Sequence, residues 1–401
     1  MKNKSKIIIL TLIFILSFLG LIAKYFFIDD ILTYDYKFIE QPENIKKVIF
    51  RTKIARIISV IKPEKYYNPD IAKDFTDIAI LYENKDENLT IKYYYRAANI
   101  YKILLKKNPS LLKEIEPEYI RLFDKMGNFY CTKSHEYKDK DNEKAISYYL
   151  KAVDAFNTLI KIKPQYIMEI SDIYNAIGSI YENGILYDKV HQSEKAKEYY
   201  LKAYKIKHKI MTNNPDEITV YEDQNLKNLT NINEKLKDYG EAEKNYLETI
   251  KRFENLLDKN TKDSSNVQIF EEYTILNSLA VANFELADFY LKVENYSGAQ
   301  AYYFKTLNLS KIILNKSTYP RNGFHFNILN AIGEFYYKTQ KFDKAENYYL
   351  MALDESYKIE GPTSFSATDS QKEIKNNLGD LYTKSGQIDK ANRYYAEAKQ
   401  L

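Results

Sequence analysis

The polar residues with the most regular spacing in this chain lie around a recurring glycine. Asn175, Asn330 and Asn376 each precede that glycine by three residues, in NAIG, NAIG and NNLG. A second polar residue follows the glycine, or its counterpart Thr230, by one position. The two positions are one helical turn apart and share a helix face. The candidate binding residues are Asn128, Asn175, Ser179, Asn231, Asn330, Glu334, Asn376 and Asp380.

An amide side chain offers both a donor and an acceptor, so a row of asparagines can pair with a peptide backbone of any sequence. The sequence therefore predicts a groove for an extended peptide, made somewhat acidic by Glu334 and Asp380. The alternative is that these asparagines are simply solvated. Asn is abundant in this chain, and duplication of a repeat would copy it along with the rest.

Catalytic and metal chemistry are not predicted. The histidines His135, His191, His208 and His325 lack metal-ligand spacing, and Cys131 is the only cysteine. The chain contains no phosphate-binding, dinucleotide, zincin or nucleophile-elbow motif. We expect neither an enzyme nor a cofactor site, and we read Cys131 as a half-buried helical residue.

Net charge argues against nucleic acid as a partner. The excess of +4 resides at the N-terminus, because removing Lys2, Lys4, Lys6 and Lys24 from 59 basic residues leaves 55 against 55 acidic ones. A surface that follows phosphates needs a basic excess or stripe, and the body of the chain has neither.

The candidate residues belong to a repeat. Its second half reads small-x-x-Tyr-Tyr-x-Lys-Ala, as in AISYYLKA and AKEYYLKA, and it recurs at spacings of 46 to 57 residues. The copies are 90–97, 145–152, 196–203, 242–249, 299–306, 345–352 and 391–398. Before each copy stands a motif such as YNAIGSIY, with a small residue four positions after a large one. Large residues three and four apart, with small residues between them, predict a pair of packed helices, A and B, in each copy.

These motifs resemble the tetratricopeptide repeat family. The residues that carry the resemblance are Ile78, Ala79, Tyr82, Tyr94 and Ala97; Gly127, Tyr130, Ala145, Tyr149 and Ala152; Gly178, Tyr181, Ala196, Tyr200 and Ala203; Ala287, Tyr290, Ala299 and Tyr303; Gly333, Tyr336, Ala345, Tyr349 and Ala352; and Gly379, Tyr382, Ala391, Tyr395 and Ala398. The resemblance implies an all-α, right-handed superhelical solenoid of about seven hairpins, with A helices lining a concave peptide-binding groove.

The units depart from the family's 34-residue period. Their length resembles that of the kinesin light chain variety. The fourth unit is degenerate, with Thr230 and Asn233 where a small residue and Tyr belong. Six extra residues separate the motifs of the second and third units, and the polar stretch SHEYKDKDN predicts a solvated loop.

The N-terminus predicts a membrane anchor. Residues 7–23 form an uncharged apolar run, which exceeds the usual core of a cleaved signal, the competing interpretation. Preceding lysines place the N-terminus inside, so the expectation is a single-pass inner (cytoplasmic) membrane protein with an extracytoplasmic repeat domain. The predicted segments are an anchor (1–28), a connector (29–47), a degenerate half-repeat cap (48–69) and the solenoid (70–401).

Taken together, the sequence predicts a membrane-anchored scaffold or adaptor that binds a protein or peptide through its groove. A periplasmic holdase-like chaperone, a structural subunit of an envelope complex and a cytoplasm-facing regulator remain alternatives. The final helical pair ends the chain without a capping helix, which makes it a candidate for self-association.

Overall fold

The computed structural model describes Thr52 and residues 67–183, 189–213, 224–262, 268–316, 323–358 and 364–401. These ranges contain α-helices and one short 3-10 turn, and no strand, which confirms the prediction of an all-α helical repeat. The helices are α1 Pro69–Tyr82, α2 Glu87–Lys107, α3 Leu112–Tyr137, α4 Asn142–Leu159, α5 Tyr166–Asn183, α6 Lys189–Asn213, α7 Gln224–Lys235, α8 Tyr239–Lys262, α9 Gln268–Lys292, α10 Tyr296–Lys316, α11 Phe324–Lys338, α12 Phe342–Ser356, α13 Ser364–Lys384 and α14 Ile388–Lys399.

The odd-numbered helices are the A helices of the seven hairpins, and the even-numbered ones are the B helices. Each copy of the two sequence motifs lies in the helix predicted for it. The chain divides into two compact units, unit 1 (Met1–Ile173) and unit 2 (Tyr174–Leu401), with the division inside α5. Within each unit, a helix packs chiefly against the next helix along the chain.

Short polar signals set the helix boundaries. Asn68 caps α1 by accepting from the Asp70 amide at 2.8 Å, and Pro69 occupies the first turn. Asp86 and Asp141 cap α2 and α4 by accepting from backbone amides three residues ahead, each at 2.9 Å. These caps satisfy backbone donors that the first helical turn leaves unpaired.

The last four hairpins share one tight turn. In each, a residue with positive φ follows the A helix: Lys237 (59°), Glu294 (61°), Gln340 (58°) and Gly386 (77°). The next amide then bonds to a carbonyl five residues back, as from Lys341 to Tyr336 at 2.9 Å. This is a Schellman ending. It accounts for the constant spacing between the motifs of these four units.

The repeated residues form one recurring contact. The recurring glycine of helix A lies against the second tyrosine ring of helix B, so that a Cβ on Gly178, Gly333 or Gly379 would come 2.4–2.6 Å from the ring of Tyr200, Tyr349 or Tyr395. Absence of a side chain therefore lets the two helices approach closely. The second tyrosines of five hairpins are buried: Tyr94, Tyr149, Tyr200, Tyr303 and Tyr349.

In five hairpins the first tyrosine of the pair stacks on the tyrosine that ends the A-helix motif. Tyr181 and Tyr199 have ring centroids 5.7 Å apart at an interplanar angle of 16°, and Tyr382 and Tyr394 lie 5.5 Å apart at 17°. The lysine of the motif then covers the first tyrosine, with Lys202 Nζ 4.4 Å from the Tyr199 centroid. Stacking and the cation–π contact explain why Tyr-Tyr-x-Lys recurs as a block.

The prediction of a solvated loop in SHEYKDKDN is wrong, because most of this stretch is helical. Helix α3 continues to Tyr137 and α4 begins at Asn142. The extra residues add a layer of contacts, in which Ser134 Oγ donates to the Ala145 carbonyl at 2.7 Å and the His135 and Tyr149 rings meet edge to face. Gly127 consequently faces Phe156, two turns beyond Tyr149. In the third unit, residues 184–188 lie outside the described ranges.

The membrane prediction is also corrected. No described helix combines the length and apolar composition needed to cross a bilayer, which contradicts a single-pass membrane protein with an extracytoplasmic repeat domain. The described helices are instead two-faced, with one face buried in a hairpin and charged residues on the other. The predicted anchor (1–28), the connector (29–47) and nearly all of the cap (48–69) lie outside the described residues, and the domain boundaries stay predictions.

Candidate binding surface on the A helices

A polar cluster joins two consecutive A helices of unit 2. Asn330 Nδ2 on α11 donates to Glu334 Oε1 at 3.3 Å and to Glu373 Oε1 on α13 at 3.2 Å. Its Oδ1 accepts from Asn377 Nδ2 at 3.1 Å. Asn330 is 8% exposed. Both of its polar atoms are therefore engaged in holding α11 against α13.

Carboxylates crowd this face of unit 2. Burial, and then the neighbouring Glu373 charge, raise the pKa of Glu334 above its usual range, while Lys338 lowers it. Desolvation also raises the pKa of Asp288 on α9, although its side chain stays accessible to solvent. Both effects penalise the ionised form, so a cation brought to this face would relieve an unfavourable environment.

Tyrosine hydroxyls from the B helices hold several of these carboxylates. Tyr303 donates to Asp288 Oδ1 at 2.5 Å, and Tyr395 donates to Asp380 Oδ1 at 2.6 Å. The same arrangement joins Tyr246 to Glu234 at 2.7 Å. Because each tyrosine ring packs in the hairpin core or against its glycine, the bond fixes where the carboxylate stands on the A helix.

Three carboxylates occupy one register position on successive A helices. Asp288 follows Ala287, Glu334 follows Gly333 and Asp380 follows Gly379, each by one residue. We call Asp288, Glu334 and Asp380 the acidic row. Sequence reasoning missed Asp288, although the signal was present, because Ala287 is the counterpart of the recurring glycine.

The structure separates the predicted binding residues into two groups. Asn175, like Asn330, bonds to the next A helix, donating from Nδ2 to Asn225 Oδ1. Ser179 is half-buried and accepts from Asn183 Nδ2 at 3.2 Å. The exposed members are Asn128 in unit 1 and Asn231, Asn376 and Asp380 in unit 2. Whether any of these residues binds a ligand stays a prediction.

The remaining reactive side chains have structural surroundings. Burial raises the pKa of the Cys131 thiol to about 12, so it is not a poised nucleophile. His325 Nδ1 on α11 lies 2.8 Å from Ser310 Oγ on α10, so this contact joins two successive hairpins. Within the described ranges, no group of three or more His, Cys, Asp or Glu side chains could hold a metal ion.

Comparisons with known proteins agree with the repeat architecture. Residues 373–401, which cover most of α13 and all of α14, match the tetratricopeptide repeat family model. No curated protein matches the sequence.

Several solved structures are similar to this chain at low sequence identity. They include BtubC from P. vanneervenii (18% identity over 77% of this chain and 88% of that one, TM-score 0.31). A STAND signal-transduction ATPase with a tetratricopeptide repeat sensor from Pyrococcus horikoshii has 15% sequence identity. The match covers 82% of this chain and 45% of that one, with a TM-score of 0.44. PilF from Pseudomonas aeruginosa has 16% sequence identity. The match covers 69% of this chain and 92% of that one, with a TM-score of 0.34.

Proposed function

We propose that this chain is a tetratricopeptide repeat scaffold that binds a basic segment of another protein along the A helices of unit 2. The acidic row supports this proposal most directly. Asp288, Glu334 and Asp380 recur at one register position, and two of them have a raised pKa because of desolvation. A lysine or arginine placed between them gains Coulomb energy and relieves repulsion between the carboxylates.

The geometry suggests how the basic residues of the partner are spaced. Packed helices lie about 8–10 Å apart, and the Asn377–Asn330 bond at 3.1 Å places α11 directly beside α13. An extended chain in the polyproline II conformation advances about 3.1 Å per residue and returns to the same face every three residues. Basic residues three apart would therefore meet carboxylates on successive A helices, and the exposed Asn376 can pair with the backbone between them.

A direct binding assay tests the proposal. Fluorescein-labelled peptides with lysine at every third position, and matched peptides with glutamate there, are titrated with the full chain and followed by anisotropy. We expect the lysine peptide to bind and the glutamate peptide not to. Affinity should fall with added salt, because these charges are at most partly buried. It should also fall as the pH drops and the carboxylates with a raised pKa take up protons.

Neutralising the acidic row supplies the decisive variant. The triple change Asp288→Asn, Glu334→Gln and Asp380→Asn should weaken binding of the lysine peptide at least tenfold. A control with the same change in net charge uses exposed carboxylates of the B helices, Glu254→Gln, Asp343→Asn and Asp389→Asn. Equal binding of both peptides would instead favour a chaperone that holds unfolded chains. Equal losses of affinity in the two triple variants would show that binding depends on net charge and not on the acidic row.

A further inference from the structure

A cavity of about 800 Å³ opens between the B helices α2 and α4 of unit 1, above the A helix α3. We propose that this outer cavity binds an amphiphilic carboxylate, a molecule with an apolar chain and one anionic head. The cavity belongs to unit 1 and is lined on two sides by B helices, so the inference does not depend on the proposed function. Its volume falls in the range of small-molecule sites.

The floor of the outer cavity is apolar. Phe123 and Met126 of α3 form it together with Tyr119, whose pKa is raised by desolvation. The walls carry small side chains, Ala98 on α2 and Ala155 on α4. Ala98 is partly exposed, so its small side chain leaves room that a larger side chain would fill. An alkyl chain placed there would remove apolar surface from water on both molecules.

The rim of the outer cavity is cationic. Lys102, Lys106 and Lys151 line it against one carboxylate, Asp154, which leaves three positive charges against one negative charge. Lys102 and Lys106 are one helical turn apart on α2, and both are exposed. In the described part of the chain neither makes an ion pair. Like charges at this spacing repel each other, and an anionic head between them would remove that repulsion.

Lys151, one of the three lysines of the rim, has its ammonium group beside two aromatic rings. Its Nζ lies 4.7 Å from the ring centroid of Tyr148 and 5.8 Å from that of Tyr130. Lys151 lines the cavity, and its ammonium group lies against these two rings, which are not part of the lining. An apolar floor beneath a lysine rim matches the two parts of an amphiphilic anion, and it disfavours an amphiphilic cation of the same chain length.

The chain offers a clean reporter, because it contains no tryptophan. Tyr95 lines the cavity and is 49% exposed, so Tyr95→Trp places one fluorophore at the mouth with little effect on folding. Full-length Tyr95→Trp is titrated with dodecanoate below its micellar concentration. Dodecyltrimethylammonium is the control with the same alkyl chain and a cationic head, and acetate is the control with the carboxylate and no alkyl chain. We expect a saturable change with dodecanoate, at least tenfold weaker binding of the cation and no response to acetate.

Two variants in the Tyr95→Trp background locate the site. Ala98→Phe fills the cavity and should weaken dodecanoate binding at least tenfold. Lys102→Glu with Lys106→Glu should weaken it by a similar factor, whereas Lys113→Glu with Lys125→Glu, two exposed lysines of α3 that do not line the cavity, should not. Circular dichroism confirms that each variant folds. Equal affinity for the cation, unsaturable binding, or insensitivity to both the filling and the rim variants would overturn the proposal.

Discussion

Gly333 lies where α11 crosses α12, and a Cβ added there would come 2.5 Å from Cδ1 of Tyr349. That ring is 2% exposed and has no room to move. The glycine is therefore required by the approach of the two helices and not by its backbone angle. The same requirement holds at Gly178 and Gly379, so this contact defines the hairpin at the level of single atoms.

Gly333→Ala should destabilise unit 2. Overpacking in a core costs about 1–3 kcal/mol, while alanine recovers up to about 1 kcal/mol of helix propensity. Urea unfolding followed by circular dichroism measures the difference. Gly240→Ala is the matched control, because Gly240 is helical and nothing lies within 4 Å of its added Cβ. The control should be neutral or slightly stabilising, and similar results for both variants would contradict the assigned packing.

At the scale of the element, the fourth hairpin, α7 with α8, is the exception to the repeat. Asn233 and Asn245 occupy the positions at which other hairpins stack two tyrosines, and they are 2% and 8% exposed. Asn233 Oδ1 has no hydrogen-bond partner in the described part of the chain. A buried acceptor without a partner costs about 1–3 kcal/mol.

Asn233→Leu should therefore stabilise the protein by about 1–2 kcal/mol, because leucine has a similar shape and no polar atom to bury. Thermal and urea unfolding report the change. Asn231→Leu, two residues away and exposed, should alter stability by less than about 0.5 kcal/mol. A loss of stability in Asn233→Leu would mean that this amide is satisfied, for instance by an internal water.

The sequence predicts a hairpin well where a contact depends on residues of that hairpin alone. The close packing of helix A against helix B follows from the motif, because its large and small residues share one helix face. The added layer in the second hairpin does not, because a polar insertion such as SHEYKDKDN is compatible with either a loop or two longer helices. Only the contacts of Ser134 and His135 with α4 decide between them.

The candidate site was harder to predict because it depends on neighbouring repeats. Nothing in NAIG shows that Asn330 will meet Asn377 and Glu373 of the next A helix, which bury it. The exposed Asn376 has the same motif position, but within the described residues no further A helix packs against the seventh hairpin. Identical motif positions therefore differ in exposure with their place in the stack, and a single repeat cannot show this.

At the scale of the whole molecule, buried tyrosines form part of the core of both units. The chain has 39 tyrosines. Desolvation raises the pKa of the second tyrosines well above their usual value, at Tyr94 in unit 1 and at Tyr200, Tyr303 and Tyr349 in unit 2. Folding therefore favours the neutral phenol. The stability contributed in this way is complete below the unfolded pKa of about 10 and is lost as the pH rises above it.

In an alkaline titration we accordingly expect the tyrosinate absorbance of the buried rings to appear only as helix content falls, because these rings ionise only when their hairpins open. Tyr349→Phe keeps the buried ring but removes the ionisable group. Its stability should match the parent at neutral pH and exceed it by about 1 kcal/mol one pH unit above the unfolded pKa. Tyr357→Phe, at a position 56% exposed, should show no such gain. Tyrosinate formation that is complete before any loss of helix would contradict this account, because phenols packed as the repeat places them cannot ionise in the folded chain.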